Sequence, residues 1–200
     1  MATDGPGTGS VHDATATLDS LLARATAESD GKRPPIHKWN PEFCGDIDMR
    51  IARDGSWHYM GTPIGRKRMV KLFSTILRHD SDGGFYLVTP VEKVGITVDD
   101  APFVAVEMEV SGSGGDQVIA FRTNVDDHVR VDGDCPLRVE EDSETGEPAP
   151  YVLVRDRLEA LIARSVFYDL VELAEERDDV LGVWSGGEFF PLGRAGDGRA

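Results

Sequence analysis

The chain has 200 residues, of which 40% are hydrophobic and 28% charged, so it can bury a core and is not expected to be disordered overall. Lys and Arg number 21 against 36 Asp and Glu, and this net charge of −15 argues against a protein that coats nucleic acid. No apolar run is long enough to span a membrane, the first ten residues do not resemble a secretion signal, and there are only two cysteines. We therefore expect a cytoplasmic protein without a disulfide framework.

The acidic excess lies in the second part of the chain. Residues 1–90 carry 11 basic and 11 acidic side chains, whereas residues 91–200 carry 10 basic and 25 acidic ones. The densest acidic stretch covers residues 126–147 and contains nine acids against Arg130 and Arg138. Such a stretch is typical of a solvated surface, although a cation site or a docking patch for a basic partner would have the same composition.

The first half of the sequence predicts a tail, a helix, a β-hairpin, another helix and a strand, in that order. Apolar spacing predicts a helix over residues 14–27. Prolines at 34, 35 and 41 exclude a helix over residues 32–43. Residues 47–51 and 57–60 predict a hairpin around Asp54-Gly55, with a type I′ turn and positive φ at both central residues. An apolar stripe predicts a helix over residues 66–79, and a strand is predicted over 85–91.

The second half predicts mainly strands, at residues 104–110, 118–123, 129–131, 137–139 and 151–154. Leucines and other apolar residues at helical spacing predict a second long helix over residues 155–177. A final hairpin is predicted from residues 181–184 and 188–192 around Gly186-Gly187.

Two parts of the chain share the same order of predicted elements. Residues 47–91 and 137–184 both predict a hairpin, a helix and a strand, and residues 68–73 align with residues 157–162. We therefore predict an α+β fold of two related β-hairpin–helix–strand modules. The expected divisions are a tail and helix at 1–30, a first module at 31–95, a second, acidic module at 96–192, and a flexible tail at 193–200.

Several short motifs in the first half resemble one known family. They are CGDIDMRI at 44–51, DGSW at 54–57, GTPI at 61–64, Arg66 with MVKLF at 69–73, and YLVTPVEK at 86–93. With these motifs the chain resembles, over roughly residues 30–192, a family of uncharacterised bacterial proteins classed as a domain of unknown function. The resemblance implies a duplicated α+β architecture whose C-terminal half is loosely pleckstrin-homology-like. It also implies a ligand- or peptide-binding role in signalling, with no established catalytic residues.

Carboxylates on the first predicted strand are the clearest candidates for chemistry. Asp46 and Asp48 lie two residues apart on a strand, so both could reach one cation. Arg50 and Ile51 then occupy positions where a calcium loop needs an oxygen ligand and a glycine, so we predict no metal and no cofactor. The structural alternative pairs Arg50 with one of these acids.

A cluster of three cations is the strongest candidate binding feature. Arg66, Lys67 and Arg68 occupy the first turn of the predicted helix, where the helix dipole normally favours acids. Free backbone N–H groups together with arginine suit a phosphate, a carboxylate or an acidic peptide. The alternative is that these cations pair with the protein's own surplus acids. Arginines at 155 and 157 would occupy the matching turn of the predicted second helix, and two aromatic residues could add a stacking surface. The predicted ligand-binding residues are Arg50, Trp57, Tyr59, Arg66, Lys67, Arg68, Arg155 and Arg157.

The sequence therefore predicts a non-enzymatic module that binds an anionic small molecule or peptide between its two halves. The alternative from another class is a small hydrolase or transferase that uses Asp46, Asp48 and His58. A third hypothesis is a structural or assembly protein whose acidic C-terminal part docks a basic partner. No residue is assigned as catalytic.

Overall fold

A computed structural model describes residues 33–141 and 146–194, together with Ser20 and Ala23. Ser20 and Ala23 are helical, and the rest of the predicted helix over 14–27 lies outside the described residues. Within the described part of the chain, no helix has the length and apolar character needed to cross a membrane.

The first half forms a six-stranded sheet with one helix. Its strands are β1 (Phe43–Ile51), β2 (Trp57–Tyr59), β3 (Thr62–Pro63), β4 (Leu77–His79), β5 (Phe85–Val88) and β6 (Lys93–Val98), in the order β3-β2-β1-β6-β5-β4. Helix α1 (Lys67–Thr75) connects β3 to β4. The two central strands, β1 and β6, are parallel, and every other pair in the sheet is antiparallel.

The second half forms another six-stranded sheet. Its strands are β7 (Phe103–Ser111), β8 (Val118–Thr123), β9 (His128–Arg130), β10 (Leu137–Glu141), β11 (Pro148–Arg155) and β12 (Leu158–Ile162), in the order β10-β11-β12-β7-β8-β9. Here β7 and β12 are the parallel central pair. Helix α2 (Arg164–Val171) follows, and then a three-stranded antiparallel sheet of β13 (Glu175–Arg177), β14 (Val180–Ser185) and β15 (Glu188–Arg194).

A duplication is confirmed, but the repeated unit is a six-stranded sheet and not the predicted β-hairpin–helix–strand module, and its boundaries also differ from the prediction. Strands β1–β6 and β7–β12 have the same order, in which two three-stranded meanders meet through a parallel central pair. The repeated units therefore cover residues 43–98 and 103–162, rather than 47–91 and 137–184. The second unit has no counterpart of α1, because residues 131–136 between β9 and β10 form bends and loop. The protein is mostly β and fits the predicted α+β class only loosely.

The predicted helix over residues 155–177 is correct only at residues 164–171, which form α2, and is wrong for residues 155–162 and 175–177, which lie in strands and a turn. Arg155 ends β11, Asp156 has a positive φ of 47° in the following turn, and β12 begins at Leu158. In β12 the buried residues are the alternate ones, 158, 160 and 162, which is the period of a strand. The alignment of residues 68–73 with 157–162 is therefore also wrong, because it pairs a helix with a strand.

Helix α1 ends four residues earlier than predicted. The hydroxyls of Ser74 and Thr75 donate hydrogen bonds to carbonyls three residues before them, each at 2.7 Å, which competes with continuation of the helix. The last two residues of the predicted apolar stripe, Ile76 and Leu77, are fully buried at the start of β4. The stripe is therefore buried as predicted but continues from the helix into a strand.

The predicted hairpin at Asp54-Gly55 is present, but its turn differs from type I′. The backbone N–H of Ala52 donates to Ser56 O at 2.9 Å, so the loop has three residues. Gly55 has a φ of 79°, and Asp54 does not have a positive φ. This is a turn closed by one left-handed glycine, which is the common form of a three-residue hairpin loop.

One hydrophobic core joins the two units. The buried cluster includes residues of both sheets, of α1 and α2 and of the last hairpin, from Ile36 to Leu192. Cavities along the junction are therefore bounded by packed elements on both sides.

Candidate functional site

The basic cluster, Arg66, Lys67 and Arg68, lies at the start of α1 as predicted. All three side chains are exposed, the first turn contains no acidic residue, and no side chain caps the helix. Within the described chain, none of the three forms an ion pair or a side-chain hydrogen bond. The alternative of pairing with the protein's own acids therefore has no support among the described residues.

A small cavity, the indole pocket, lies beside the basic cluster. Its volume is about 170 Å³, and its lining includes Trp57, Ile64, Lys67, Val70 and Asn124. Trp57 is only 1% exposed, and its ring stacks on Phe73 with centroids 6.1 Å apart. The indole Nε1–H is buried and has no partner among the described residues. An unsatisfied buried donor costs about 1–3 kcal/mol.

The second unit closes one side of the indole pocket. Asn124 donates from Nδ2 to Gly55 O at 3.1 Å and accepts at Oδ1 from the N–H of Val104 at 3.0 Å. A Cβ atom at Gly55 would collide with the Asn124 side chain, and the φ of 79° there also favours glycine. The β1–β2 turn is thus fixed against the second unit.

Arg50 and Tyr59 do not line the indole pocket, and they do not line the larger cavity between the first sheet and the β11–β12 turn. Arg50 donates from Nε and Nη2 to the carboxylate of Asp99, at 2.7 Å for the Nε bond, rather than to Asp46 or Asp48. This hydrogen bond raises the pKa of Arg50 and lowers the pKa of Asp99. Tyr59 is partly buried, and that burial raises its pKa. To bind a ligand, the Arg50 guanidinium would have to release the Asp99 carboxylate and pair with the ligand instead.

Arg155 is a structural residue in this fold, because its guanidinium is almost fully used. Its side chain is 13% exposed, forms an ion pair with Asp127 and lies 4.7 Å from the centre of the Phe103 ring. It also donates to Ser74 O at 2.7 Å and so ties the β11–β12 turn to the end of α1. Burial lowers the pKa of Arg155, although a guanidinium remains protonated at neutral pH.

A larger cavity, the junction cleft, lies between the first sheet and the β11–β12 turn. Its volume is about 780 Å³. It is lined by residues 36–40, by β4 and the turn after it, by Lys93 and by the β11–β12 turn. Four separate parts of the chain therefore meet around it.

Two cations and one carboxylate form the floor of the junction cleft. Arg78 Nε and Lys93 Nζ each donate to Asp80 at 2.6 Å, and all three side chains are less than one-fifth exposed. Arg78 also donates to Trp39 O at 2.7 Å. Burial raises the pKa of Asp80, but the hydrogen bonds from Arg78 and Lys93 together hold it below its usual range. These three floor residues carry one net positive charge, but Asp82 and Asp156 also line the cleft, so its six charged side chains, with Arg157, sum to zero.

The rim of the junction cleft carries the predicted binding residue Arg157. Its side chain is exposed and has no partner within the described residues. Its backbone carbonyl accepts a hydrogen bond from His79 Nδ1–H at 3.1 Å, and the His79 ring stacks on Phe85 with centroids 4.2 Å apart. The turn is thus held in place while the guanidinium remains available.

The residues of the alternative enzyme hypothesis do not form a nucleophile–base pair. Asp46 and Asp48 are exposed on β1, and His58 Nε2 lies 2.9 Å from Ser56 Oγ. The Ser56 hydroxyl donates to Asp54 Oδ1 at 2.6 Å, so His58 donates to Ser56 and does not take its proton. Among the described residues there is no group of three acids, histidines or cysteines that could hold a metal ion.

The acidic stretch 126–147 is partly neutralised within the fold. Asp126 pairs with Lys71 and Arg122, Asp127 pairs with Arg155, and Glu147 pairs with Arg164. Residues 142–145 of this stretch lie outside the described chain. A basic docking partner for the stretch stays a prediction.

The strand order defines a duplicated, mostly β protein with two related units, and residues of both units line the indole pocket and the junction cleft. Residues 34–101 match the N-terminal domain of unknown function DUF1285, and residues 102–192 match the DUF1285 C-terminal domain. The chain belongs to the DUF1285 family, as the sequence motifs predict.

Two crystal structures of DUF1285 family proteins are similar to this chain. The protein from Silicibacter pomeroyi DSS-3 is 57% identical, with a TM-score of 0.82, over 87% of this chain and 94% of the other. The protein from Shewanella baltica OS155 is 26% identical, with a TM-score of 0.50, over 62% of this chain and 90% of the other. No curated protein matches the chain significantly. The pleckstrin-homology-like likeness of the C-terminal half stays a prediction.

Sequence reasoning missed the floor of the junction cleft. Arg78 and Asp80 lie two apart at the end of a strand and share a face, which is a pattern that could have been found. The contribution of Lys93 depends on the pairing of β5 with β6, for which the sequence contains no local signal.

Proposed function

We propose that this protein is a non-enzymatic binding module that takes a small anionic molecule in the junction cleft. The observation that carries the proposal is the unpartnered Arg157 guanidinium on the rim, above a floor with net positive charge. A volume of about 780 Å³ lies within the range of small-molecule sites in proteins.

The unpartnered guanidinium of Arg157 favours an anion in the cleft, although the three cations and three carboxylates of the lining, Asp80, Asp82 and Asp156 among them, balance in charge. Arg78 and Lys93 share the single carboxylate of Asp80, so their combined charge is only half neutralised. In a partly enclosed space this excess is less screened than on an open surface. A carboxylate or phosphate held by Arg157 would make charge-assisted hydrogen bonds.

A role in signalling is part of the same proposal. A module that holds a ligand without converting it can report the ligand's concentration to a partner. A pleckstrin-homology-like C-terminal half, as the sequence predicts, would agree with a binding role. A short anionic peptide is a second form of ligand that the open cleft would accept.

Thermal melts with a panel of anions test the proposal. The panel contains inorganic phosphate, nucleotides, and mono- and dicarboxylates, and the proteins are the wild type, Arg157→Ala and Arg194→Ala. Arg194 is an exposed arginine at the end of β15 and serves as the control. We expect one or more anions to stabilise the wild type and Arg194→Ala but not Arg157→Ala. Removing a charge-assisted hydrogen bond of about 1.5–3 kcal/mol weakens binding roughly 10- to 150-fold.

Two results would contradict the proposal. If every anion affects the wild type and Arg157→Ala alike, the cleft is not the site. If an anion that binds is consumed during incubation, as followed by NMR, the protein is an enzyme and not a simple binding module.

A further inference from the structure

We propose that the basic cluster and the indole pocket together form a second site, which docks an acidic peptide segment through one apolar side chain. This site is separate from the junction cleft and uses none of the residues on which the proposed function rests. It would give the module a protein partner in addition to a small ligand.

The size and lining of the indole pocket fit one side chain rather than a whole ligand. Its volume is about 170 Å³, and Trp57, Pro63, Ile64 and Val70 give it a mainly apolar wall. Cavities of about 150 Å³ with apolar walls accept a benzene ring. A leucine or phenylalanine side chain of a partner is therefore the largest group that the pocket can hold.

The charge around the pocket selects an acidic partner. Lys67 lines the pocket itself, and Arg66 and Arg68 flank it on the same helical turn. All three cations lack partners within the described chain, although the protein has a net charge of −15. The uncapped start of α1 adds free N–H groups and a positive dipole end.

The buried indole of Trp57 forms part of the apolar wall of the pocket. The side chain lines the pocket, is 1% exposed and has a donor that no described residue accepts. A lone inorganic anion would satisfy the cations but would leave the apolar wall bare. An acidic peptide supplies an apolar side chain beside carboxylates, so it suits the wall and the cations together.

Fluorescence anisotropy with synthetic peptides tests the inference. The first probe is a fluorescein-labelled peptide of six acidic residues around one central leucine. A second probe has serine in place of the leucine, and a third has lysines in place of the acids. We expect wild type to bind the first probe at least tenfold more tightly than either of the others.

Protein variants separate this site from the junction cleft. Arg66→Gln/Arg68→Gln should bind the first probe at least tenfold more weakly, and Val70→Phe, which fills the pocket while keeping the cations, should also weaken it. Arg157→Ala should bind this probe like wild type, even if it loses every small anion. Circular dichroism melts of each variant verify that it is folded.

Three results would overturn the inference. Equal binding of the leucine and serine probes would mean that charge alone attracts the peptide. Absence of binding by wild type up to millimolar protein would remove the site. A self-association that Arg66→Gln/Arg68→Gln abolishes, seen by sedimentation, would assign the surface to a second copy of this chain.

Discussion

Asp127 is the carboxylate on which the link between α1 and the second sheet depends. It is 12% exposed and pairs with Arg155, itself 13% exposed, and with the more exposed Arg33. Asp127→Asn keeps the size of the side chain but removes its charge, so the buried guanidinium loses its counter-charge. The bond to Arg33 is screened by solvent and contributes little. We therefore expect a loss of about 1.5–3 kcal/mol in unfolding free energy, the value of one buried charge-assisted hydrogen bond.

The neighbouring Asp126 provides a matched control. Its side chain is 58% exposed, and it pairs with Lys71 at 3.4 Å and Arg122 at 3.1 Å. Its φ is 62°, which asparagine tolerates well. Since exposed ion pairs contribute little, Asp126→Asn should lower the unfolding free energy much less than Asp127→Asn does.

Urea unfolding of the two variants measures the difference. An unchanged m value with a lower midpoint would show a change in stability alone. In an Arg155→Met background, Asp127→Asn should cost much less, because the buried cation is gone. Equal losses for Asp126→Asn and Asp127→Asn, or a loss below about 0.5 kcal/mol for Asp127→Asn, would refute the reasoning.

Three further predictions concern the core, a turn and acid stability. Phe73→Ala should lower the unfolding free energy by about 3–5 kcal/mol, because Phe73 is fully buried, whereas Met60→Ala at a 53% exposed site should change it by less than about 0.5 kcal/mol. Gly55→Ala should cost more than Gly61→Ala in the same urea assay: both have a positive φ, but only the Cβ at Gly55 would meet another side chain. The pKa of Asp80 is lowered in the folded state, so its contribution is present above pH 3.8 and is lost as the pH falls through the folded pKa. Asp80→Asn should therefore lose less stability than wild type between pH 5 and pH 3, and equal losses would contradict this.

Local signals were sufficient to predict the hairpins at Asp54-Gly55 and Gly186-Gly187 and helix α1. Asp54-Gly55 and Gly186-Gly187 lie at hairpin turns as predicted, because glycine there takes a positive φ at low cost. The apolar stripe of α1 is also correct where it covers Phe73. In each case the residues that decide the structure lie within a few positions of one another.

The predicted helix over residues 155–177 failed at residues 155–162, because the contacts that decide this segment are distant in sequence. Leu158, Leu161 and Ile162 fit both the helical period and a half-buried strand. The choice is made by β7, which pairs in parallel with β12 through Ala160↔Phe103 and Leu161↔Val104. That partner strand lies more than fifty residues earlier, so the periodicity of the segment alone could not indicate it.

The β11–β12 turn gives Arg155 and Arg157 different positions from those that a shared helical turn predicts. The sequence predicts that both lie on one helical turn, but they lie on either side of Asp156 at the β11–β12 turn. Arg155 turns toward Asp127 and the end of α1, whereas Arg157 reaches the rim of the junction cleft. One buried arginine therefore anchors the turn, and the exposed arginine two residues later is held near the cleft by the same anchor. The backbone of Arg157 is already fixed by Arg155 and by the His79 contact, so only its side chain has to become ordered when an anion binds, which favours affinity at this position.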